Sequence, residues 1–530
     1  MAKTTIGFFG GVNAIGGNKI CLQAANDRAI MLDFGIDYSM TKKFTDMFLK
    51  LRDSEYILDA LSIGLIPRPE GVLKSIYRED LMLHVAGDLK SVFGISFDFA
   101  EKPAVTEVAV SHLHGDHIGL IKYMHSSINP IYGTTSARLL DHFNQMSKAN
   151  SQLRGVNEYK LMYTLAGKQV VVKQVEGTRK SIELAAGEWK AVAAGGFDIS
   201  FLETDHSIPG AGGFLLQDKE TGKRIVYTGD IRMHGPLSSQ ARAFVIAARD
   251  FKPDVLVIEG TRLERGEKTM YFQDEASVMA EIERILASLK GSIRKEMVFF
   301  DCSGKDVWRF QSFYQAAKAA GRKLVIDADV YMLINACKQA GIAGLSSIDL
   351  DDVLIYLYKA GTGTYDPKDY SRTPDIANAF KDPAKANENA IYKRINLSYR
   401  HHVKAAEVRA HPEKYVMYLP FYSLNELPDL RPPEGSHFIK SMSEPVDDEG
   451  EISDDKRMAW LERFGIPEEN VHSAHCSGHA SPDALEWMVR EIKPIRVFPV
   501  HSLNPDLYEK MDLPKATTVV LPKLGEEYDV

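Results

Sequence analysis

Histidine and aspartate residues cluster in one short stretch of the chain, Ser111–Gly119. His112, His114, Asp116 and His117 occupy four of six successive positions there. Imidazole nitrogens and carboxylate oxygens are ligands suited to zinc or manganese. Burying four such groups without a cation would leave several polar groups unsatisfied, at a few kcal/mol each. We therefore expect this stretch to bind a metal rather than to form a solvated histidine turn.

Two further side chains of the same type follow apolar runs later in the chain. His206 comes after the run Phe197–Leu202, and Asp230 comes after the run Arg224–Tyr227. Strand ends of an α/β core share one rim, where sites are usually built. A single aspartate at a strand end is more often a turn cap. Together with the first cluster, however, these two residues complete a set of ligands for two metals.

Apolar runs bounded by turn residues predict the strands that would position these ligands. Asp254–Ile258 is apolar after its first residue, as a buried central strand should be. An apolar helix is expected to begin at Ile118, directly after the histidine cluster. The other strands predicted before residue 262 are Ile6–Gly10, Arg28–Phe34, Val105–Ser111, Gln169–Val175, Ser181–Leu184, Lys190–Ala193, Phe197–Leu202, Gly213–Leu216 and Arg224–Tyr227.

Helices and strands alternate after Thr261, which predicts a small domain built on a parallel sheet. Earlier in the chain, residues 36–105 are more helical and irregular, and we interpret them as an insertion. The later predicted helices are Asp274–Leu289, Asp306–Ala320, Val330–Ala340, Asp455–Phe464 and Asp483–Ile492. The later predicted strands are Met297–Phe300, Lys323–Ile326, Tyr415–Leu419, His437–Ile439 and Ile495–Val500.

The composition is typical of a soluble protein with a large apolar core. Of the 530 residues, 45% are hydrophobic and 26% are charged, which are ordinary values. The four cysteines include no CxxC pair, which excludes a cysteine zinc ribbon and fits a reducing compartment. We see no signal-peptide core and no long apolar span, so we expect a cytoplasmic protein with no membrane segment.

The charge balance limits how the protein could meet nucleic acid. With 64 basic and 72 acidic residues the formal net charge is −8. This excludes a generic polycation that coats nucleic acid, but it leaves open a local basic groove.

The order of the motifs resembles the metallo-β-lactamase superfamily. The segments Gly10–Asn18, Leu32–Gly35, Asp205–Gly210 and Tyr227–Asp230 are similar, more narrowly, to the ribonuclease J group of its β-CASP branch. The resemblance implies an α/β fold, namely an αββα metallo-β-lactamase sandwich with an inserted α/β β-CASP domain. It places the core at 1–262, with the insertion at about 36–105, the β-CASP domain at 263–465, and the return to the core at 466–530.

The resemblance also implies two divalent metal ions, with Zn²⁺ expected and Mn²⁺ as the alternative. Such a pair would activate a hydroxide as the nucleophile at neutral pH. By the same resemblance, one ion is held by His112, His114 and His206, and the other by Asp116, His117 and His501, with Asp230 as the bridge.

Three further motifs of the branch match Glu259 (motif A), His479 (motif B) and His501 (motif C). His479 is expected to contact the scissile phosphate or to protonate the leaving oxygen. Glu259 is expected to orient a ligand histidine. We count both, with Asp116, as candidate catalytic residues, although a structural role for Glu259 and His479 stays open.

A phosphate-binding site is a further hypothesis for the segment around motif B. Ser477, Gly478 and Ser481 would cradle a phosphate through hydroxyls and backbone N–H groups at the start of a helix.

The sequence departs from the family pattern at a few positions. Ala14 stands where an acidic residue is common, and Ser502-Leu503 replace the usual Gly-Glu after motif C. Because only residues 502–530 follow His501, we do not expect the C-terminal domain that is linked to dimerisation in ribonuclease J. Whether the protein forms a homo-oligomer stays open.

The function that the resemblance implies is a metal-dependent ribonuclease that hydrolyses phosphodiester bonds of single-stranded RNA, as an exonuclease, an endonuclease or both. A histidine at motif C is similar to the RNA-acting members of the branch. Two alternatives stay open: a small-molecule metallo-hydrolase acting on a lactone, thioester or phosphodiester, and a non-catalytic scaffold of an RNA-processing complex. The inserted domain counts against the first alternative, and the complete ligand set counts against the second.

Overall fold

Two units make up the chain in the computed structural model. The first consists of residues 1–268 and 478–530, and the second of residues 269–477. The structure describes residues 3–46, 48–145, 156–263, 273–290, 295–358, 402–442 and 448–530. All the metal-ligand candidates belong to the first unit.

The first unit contains two seven-stranded sheets. With strands numbered in chain order, the first sheet consists of β1 (Thr5–Gly10), β2 (Lys19–Gln23), β3 (Ala29–Leu32), β4 (Val105–Ala109), β5 (Asn129–Gly133), β8 (Ile182–Leu184) and β23 (Glu527–Asp529). Their order is β23-β1-β2-β3-β4-β5-β8. The run from β3 to β8 is parallel, and the other neighbours are antiparallel.

The second sheet consists of β9 (Trp189–Val192), β10 (Phe197–Glu203), β11 (Gly212–Asp218), β12 (Arg224–Tyr227), β13 (Val255–Glu259), β21 (Arg496–Val500) and β22 (Thr518–Val519). Their order is β22-β21-β13-β12-β11-β10-β9. Strands β9 to β12 pair antiparallel, whereas β12, β13, β21 and β22 pair parallel. This mixture puts several strand ends at one edge of the sheet.

The two sheets face each other across a shared apolar core. Strand β10 shows why, because Phe197, Ile199 and Phe201 alternate with polar residues and all three are buried in that core. Phe8 of the first sheet and Phe498 of the second stack with their ring centroids 5.0 Å apart. The other face of the second sheet packs against helices Ser238–Phe251 and Pro482–Ile492. The first unit is therefore a β-sandwich with helices on an outer face.

Helices of the first unit differ from the predictions in one place that matters for the site. The prediction that a helix begins at Ile118 is wrong, because a short helix covers Gly115–Ile118 and ends at Ile118. In the ranges that the structure describes, no helix has the length and apolar character needed to cross a membrane. The remaining α-helices of this unit are Tyr38–Phe44, Tyr56–Ser62, Glu79–His84, Ala86–Asp88, Thr134–Gln145, Ser238–Phe251 and Pro482–Ile492.

Two segments lie outside the two sheets. The first, residues 33–104, connects the neighbouring parallel strands β3 and β4. Hydrogen bonds attach it to the segment after the histidine cluster; for example, the Arg78 backbone N–H donates to the Tyr123 carbonyl at 2.8 Å. A separate two-stranded hairpin consists of β6 (Glu158–Ala166) and β7 (Gln169–Thr178). The predicted strand Gln169–Val175 therefore exists, but it lies outside both sheets.

The second unit is built on a third sheet whose seven strands all run parallel, as the alternating pattern predicted. The strands are β14 (Val298–Cys302), β15 (Lys323–Ile326), β16 (Leu354–Tyr356), β17 (His402–Val403), β18 (Tyr415–Tyr418), β19 (His437–Ser441) and β20 (Val471–Ser473). Their order is β17-β16-β15-β18-β14-β19-β20. The α-helices among its described residues are Glu275–Ser288, Val307–Ala319, Ala328–Gln339, Ala405–Ala410, Leu427–Leu430 and Asp448–Arg463.

Aspartate side chains cap the N-termini of three long helices of this unit, Glu275–Ser288, Val307–Ala319 and Ala328–Gln339. Asp274, Asp306 and Asp327 each accept a hydrogen bond from a backbone N–H in the first helical turn. Such capping satisfies donors that the helix itself cannot pair. It explains why the predicted helix boundaries were close to the observed ones.

Candidate metal centre

The candidate ligands follow strand ends of the first unit. In the second sheet β10, β12, β13 and β21 all run in the same direction, because β11 lies antiparallel between β10 and β12. Their carboxyl ends lead to His206, Asp230, Glu259 and His501, respectively. Strand β4 of the first sheet leads into the segment 111–119. The sandwich thus delivers residues from distant parts of the chain to one place.

The turn that holds the first histidines is packed tightly against two glycines. A Cβ atom on Gly35 would lie 1.6 Å from the carbonyl oxygen of Asp116, and one on Gly16 would lie 2.7 Å from the Asp116 side chain. Gly16 also has a φ of +80°, which disfavours other residues. These glycines belong to the motifs singled out in the sequence, and their role is to let the chain approach Asp116 closely.

Three imidazoles form a first subsite. Nε2 of His112 lies 3.0 Å from Nδ1 of His114, and Nε2 of His206 lies 3.1 Å from the same nitrogen. His112 and His206 are fully buried. Three nitrogens this close together are the arrangement that a divalent metal such as zinc requires.

Asp116, His117 and His501 form a second subsite. Nε2 of His501 lies 3.3 Å from Oδ2 of Asp116, and Nε2 of His117 lies 3.7 Å from the same oxygen. Together with Asp230, one ligand atom from each of these residues lies within 4.8 Å of all the others. The set combines nitrogen and oxygen donors.

Asp230 lies between the two subsites. Its Oδ2 is 3.6 Å from Nε2 of His112 and 3.7 Å from Nε2 of His206 in the first subsite. The same oxygen is 3.2 Å from Nε2 of His117 and 3.6 Å from Nε2 of His501 in the second. One carboxylate therefore faces both groups of ligands, as a bridge between two metals would.

Two buried atoms test whether the residues fit metal ions. Nε2 of His117 and Oδ1 of Asp230 are buried, and neither makes a hydrogen bond to any residue that the structure describes. Leaving such atoms without partners costs free energy unless a cation coordinates them. The donor types and these two atoms are compatible with divalent metal binding.

Hydrogen bonds on the far side of four rings hold the imidazoles in place. Such partners fix the orientation and tautomer of a metal-binding histidine, so that the inward nitrogen carries the lone pair. The pairs are His112 Nδ1 with Ser111 Oγ (3.0 Å), His117 Nδ1 with Asp33 Oδ2 (2.7 Å), His206 Nδ1 with the Gly478 carbonyl (2.6 Å) and His501 Nδ1 with Thr261 Oγ1 (2.8 Å).

Asp33 is a site residue whose role was not predicted. Its carboxylate is fully buried and accepts hydrogen bonds from the Ser111 N–H, the Ser111 hydroxyl and the Tyr227 hydroxyl, at 2.7, 2.7 and 2.6 Å. The signal available in the sequence was its place directly after an apolar run, in the quoted motif Leu32–Gly35. Its partner, His117, is 84 positions away, so the pairing itself could not be inferred.

The protein shifts the pKa values of the candidate histidine ligands in opposite directions. Burial lowers the pKa of His206 to about 4 and that of His112 well below its usual value. Burial also opposes protonation of His117, but the carboxylates of Asp230, Asp116 and Asp33 outweigh it and raise its pKa. Burial would raise the pKa of Asp230, but His117 and His501 hold it well below the usual range. The carboxylate is therefore ionised.

Glu259 contacts His479 rather than orienting one of the seven ligand residues by a hydrogen bond. Nδ1 of His479 lies 3.1 and 3.0 Å from the two carboxylate oxygens of Glu259. Burial alone would lower the pKa of His479, but this carboxylate raises it to about 9. The His479 ring lies 5.0 Å from that of His206 and 5.5 Å from that of His501. It is therefore a protonated group beside both subsites.

The three residues proposed to bind phosphate have different surroundings. The Ser481 hydroxyl accepts a hydrogen bond from the Ala484 N–H and caps the helix Pro482–Ile492. The Gly478 carbonyl is the partner of His206. Ser477 is buried and belongs to the second unit. Ser481 and Gly478 thus have structural tasks, and phosphate binding by the three residues stays a prediction.

Comparisons with known proteins give a shared fold but no function. No family model and no curated protein matches the chain. A crystal structure of a protein of unknown function from Enterococcus faecalis V583 is similar over 100% of both chains, with a TM-score of 0.68 and 21% identity. The metallo-β-lactamase-fold protein YhfI from Bacillus subtilis aligns with 50% of this chain and 74% of its own, at 14% identity and a TM-score of 0.24.

Substitution of Asp230 should lower the number of metal ions that the centre retains. We expect the wild-type protein to retain about two Zn²⁺ ions per chain after equilibrium dialysis, and Asp230→Asn to retain at most one, because both subsites lose a charged ligand. Metal content is measured by plasma mass spectrometry. Asp218→Asn is the matched control, since Asp218 is also buried but belongs to none of the ligand groups. Equal metal content in the two variants would contradict the assignment.

Asp33→Asn tests the hydrogen bond behind His117. Without the carboxylate the His117 ring loses its fixed orientation, and one of the two metals should bind roughly 10- to 100-fold more weakly. Titration against a chromophoric chelator gives the two affinities separately. Unchanged affinity for both metals would show that Asp33 does not support the site.

Proposed function

We propose that the protein is a metal-dependent hydrolase of the metallo-β-lactamase superfamily, similar to ribonuclease J of the β-CASP branch, which cleaves phosphodiester bonds in single-stranded RNA. The observation that supports this most strongly is the pair of ligand groups on either side of Asp230. The two-sheet sandwich of the first unit and the parallel sheet of the second are compatible with a core and an inserted β-CASP domain.

The chemistry of the centre follows from its ligands. His112, His114 and His206 would hold one divalent ion, and Asp116, His117 and His501 the other, with Asp230 between them. Two such ions would supply a water nucleophile at neutral pH and would offset the charge on the phosphate. We propose Zn²⁺ for both positions, with Mn²⁺ as the alternative, because the donors are imidazole and carboxylate groups.

His479 is the residue that we assign to the substrate. Its raised pKa of about 9 keeps the ring protonated at neutral pH, and its side chain remains 19% exposed. With Nδ1 held by Glu259, Nε2 is the nitrogen assigned to a phosphate oxygen or to the leaving oxygen. A positioned general acid of this kind typically contributes a factor of about 10²–10⁴ to the rate.

RNA is the proposed substrate because of His501. This residue is at motif C, and a histidine at this motif is similar to the RNA-acting members of the branch. In the structure His501 belongs to the second subsite and adjoins both Asp116 and Asp230. If RNA binds, affinity should fall steeply with salt, because contacts to phosphates release counterions.

A time course on 5′- and 3′-labelled RNA and DNA tests the proposal, with Zn²⁺, Mn²⁺ and EDTA compared. We expect metal-dependent cleavage of RNA that EDTA stops. His114→Ala and Asp230→Ala should abolish cleavage, whereas His411→Ala should not, because His411 is an exposed histidine of the second unit. Full activity in either ligand variant would end the two-metal assignment, and hydrolysis of a thioester or lactone without RNA cleavage would replace the substrate class.

The pH profile tests the pairing of Glu259 with His479. Because the Glu259 carboxylate raises the pKa of His479, Glu259→Gln should lower that pKa, and the ring should lose its proton at lower pH. The decline of kcat at alkaline pH should therefore begin at lower pH in Glu259→Gln than in the wild type. His479→Gln should lower kcat by about 10²–10⁴. An alkaline decline at the same pH in the wild type and in Glu259→Gln would contradict the role of this pair.

A further inference from the structure

We propose that the buried ion pair between Asp205 and Arg232, here called the Asp205–Arg232 clamp, is a positioning device for the metal centre. It sets the distance between His206 in the first subsite and Asp230 in the bridging position. The proposal rests on the proposed metal centre, but it concerns two residues that are not ligands.

The geometry of the second sheet creates a spacing problem that the clamp solves. His206 follows β10 and Asp230 follows β12, and β11 lies between these two strands. Strands two places apart are separated by about 9–10 Å, since neighbours lie about 4.8 Å apart. Yet Nε2 of His206 and Oδ2 of Asp230 are only 3.7 Å apart. Side chains could span part of that gap, but the backbones themselves meet, because Asp205 and Arg232 form an isolated antiparallel bridge after their strands end.

Direct bonds join the two converging segments. The Arg232 N–H donates to the Asp205 carbonyl at 2.7 Å, and Nε of Arg232 donates to Oδ1 of Asp205 at 2.8 Å. Oδ2 of Asp205 accepts from the Leu237 N–H at 2.7 Å, immediately before the helix Ser238–Phe251. One carboxylate thus ties together the segment after β10, the segment after β12 and the start of a helix.

The clamp should be rigid, because both of its side chains are completely buried and joined by a charge-assisted hydrogen bond. Both side chains are 0% exposed, and charge-assisted hydrogen bonds are short and directional. A Cβ atom on Gly235 would lie 2.2 Å from Nε of Arg232 and 2.5 Å from Oδ1 of Asp205. The chain therefore closes over the ion pair at a position where no larger residue fits without displacing it.

The clamp residues are close in sequence to two ligand candidates, so their positions constrain where these ligands lie. Asp205 directly precedes His206, and Arg232 follows Asp230 by two residues. A shift between Asp205 and Arg232 must therefore move the two ligands relative to each other. Loosening the clamp should weaken metal binding and separate Asp230 from the first subsite, although every ligand side chain is still present.

The test measures metal binding and the coupling of bound ions in the absence of RNA, with Mn²⁺ as the probe. Arg232→Met removes the charged partner, Arg232→Lys retains the charge, and Gly235→Ala pushes against the pair without removing it. We expect Mn²⁺ affinity to fall roughly 10- to 100-fold in Arg232→Met, as for other groups that support metal ligands, and by less in Arg232→Lys. At saturating Mn²⁺, the electron paramagnetic resonance signal of a coupled pair should weaken in Arg232→Met and Gly235→Ala.

Matched controls separate this role from general destabilisation. Arg457→Met breaks another buried ion pair, with Asp301 in the second unit, where the two side chains are 9% and 4% exposed. Gly87→Ala adds a methyl group at a glycine with nothing within 4 Å of the new atom. Both controls should keep wild-type Mn²⁺ affinity and the coupled signal, even if Arg457→Met lowers the melting temperature as much as Arg232→Met does.

The outcomes distinguish the clamp from the metal centre itself. If Arg232→Met fails to fold, Gly235→Ala decides the question, because it keeps both charges of the buried pair. Folded clamp variants with wild-type affinity and an intact coupled signal would overturn the clamp and leave the metal centre standing. A wild-type protein that binds no Mn²⁺ or Zn²⁺ would overturn the proposed function, and the clamp with it.

Discussion

The arrangement of the first unit depends on one buried negative charge, the carboxylate of Asp230. It is 2% exposed and lies within 3.7 Å of four imidazole nitrogens. An ionised carboxylate that is buried without compensation is very unfavourable, so it must be paired or must coordinate a cation. Burial lowers the pKa values of His112 and His206, so these two rings supply no positive charge. Against the effect of burial, the nearby carboxylates raise the pKa of His117, so this ring compensates part of the charge of Asp230. A pair of divalent ions would take over this role and would use the inward nitrogens as ligands.

The rest of the first unit keeps the Asp230 carboxylate and the surrounding imidazoles close together, although each of these polar groups would be better solvated in water. The apolar core between the two sheets fixes the strands, and the strand ends deliver the ligands to one edge. The glycines Gly16 and Gly35 let the histidine turn pack closely against the neighbouring backbone. Outside the ligands, partners such as Asp33 and Thr261 hold individual rings, and the Asp205–Arg232 clamp holds two converging segments. The core thus fixes the strands, and the strands and the supporting side chains fix the positions of the ligand candidates.

Residue types and apolar runs were enough to predict six of the ligand candidates, whereas His501 was assigned only by the resemblance to the ribonuclease J group. The strands before His206 and Asp230 were predicted correctly, because continuous or alternating apolar residues define them locally. The parallel sheet of the second unit was predicted for the same reason. The helix expected at Ile118 was wrong, because the short helix Gly115–Ile118 stops there and the chain continues as a different turn. The apolar residues after it are buried without extending the helix.

Contacts between distant segments could not be predicted. Glu259 was expected to orient a ligand histidine, but its hydrogen-bond partner among the histidines is His479, which lies 220 positions away. Asp33 with His117 and Asp205 with Arg232 are further examples, since nothing local to either residue identifies its partner. Such pairings arise only once the sandwich brings strand ends together. This is why ligand candidates could be proposed from the sequence, while the side chains that bond to them could not.

Anomalous X-ray diffraction from crystals grown with Zn²⁺, recorded at the zinc edge, tests the central claim most directly. The account predicts two peaks about 3.5–4 Å apart, the usual spacing of two-metal sites, with the Asp230 carboxylate between them. One peak should adjoin His112, His114 and His206, and the other Asp116, His117 and His501. No ordered peak at Asp230, or one ion held without that carboxylate, would contradict the account.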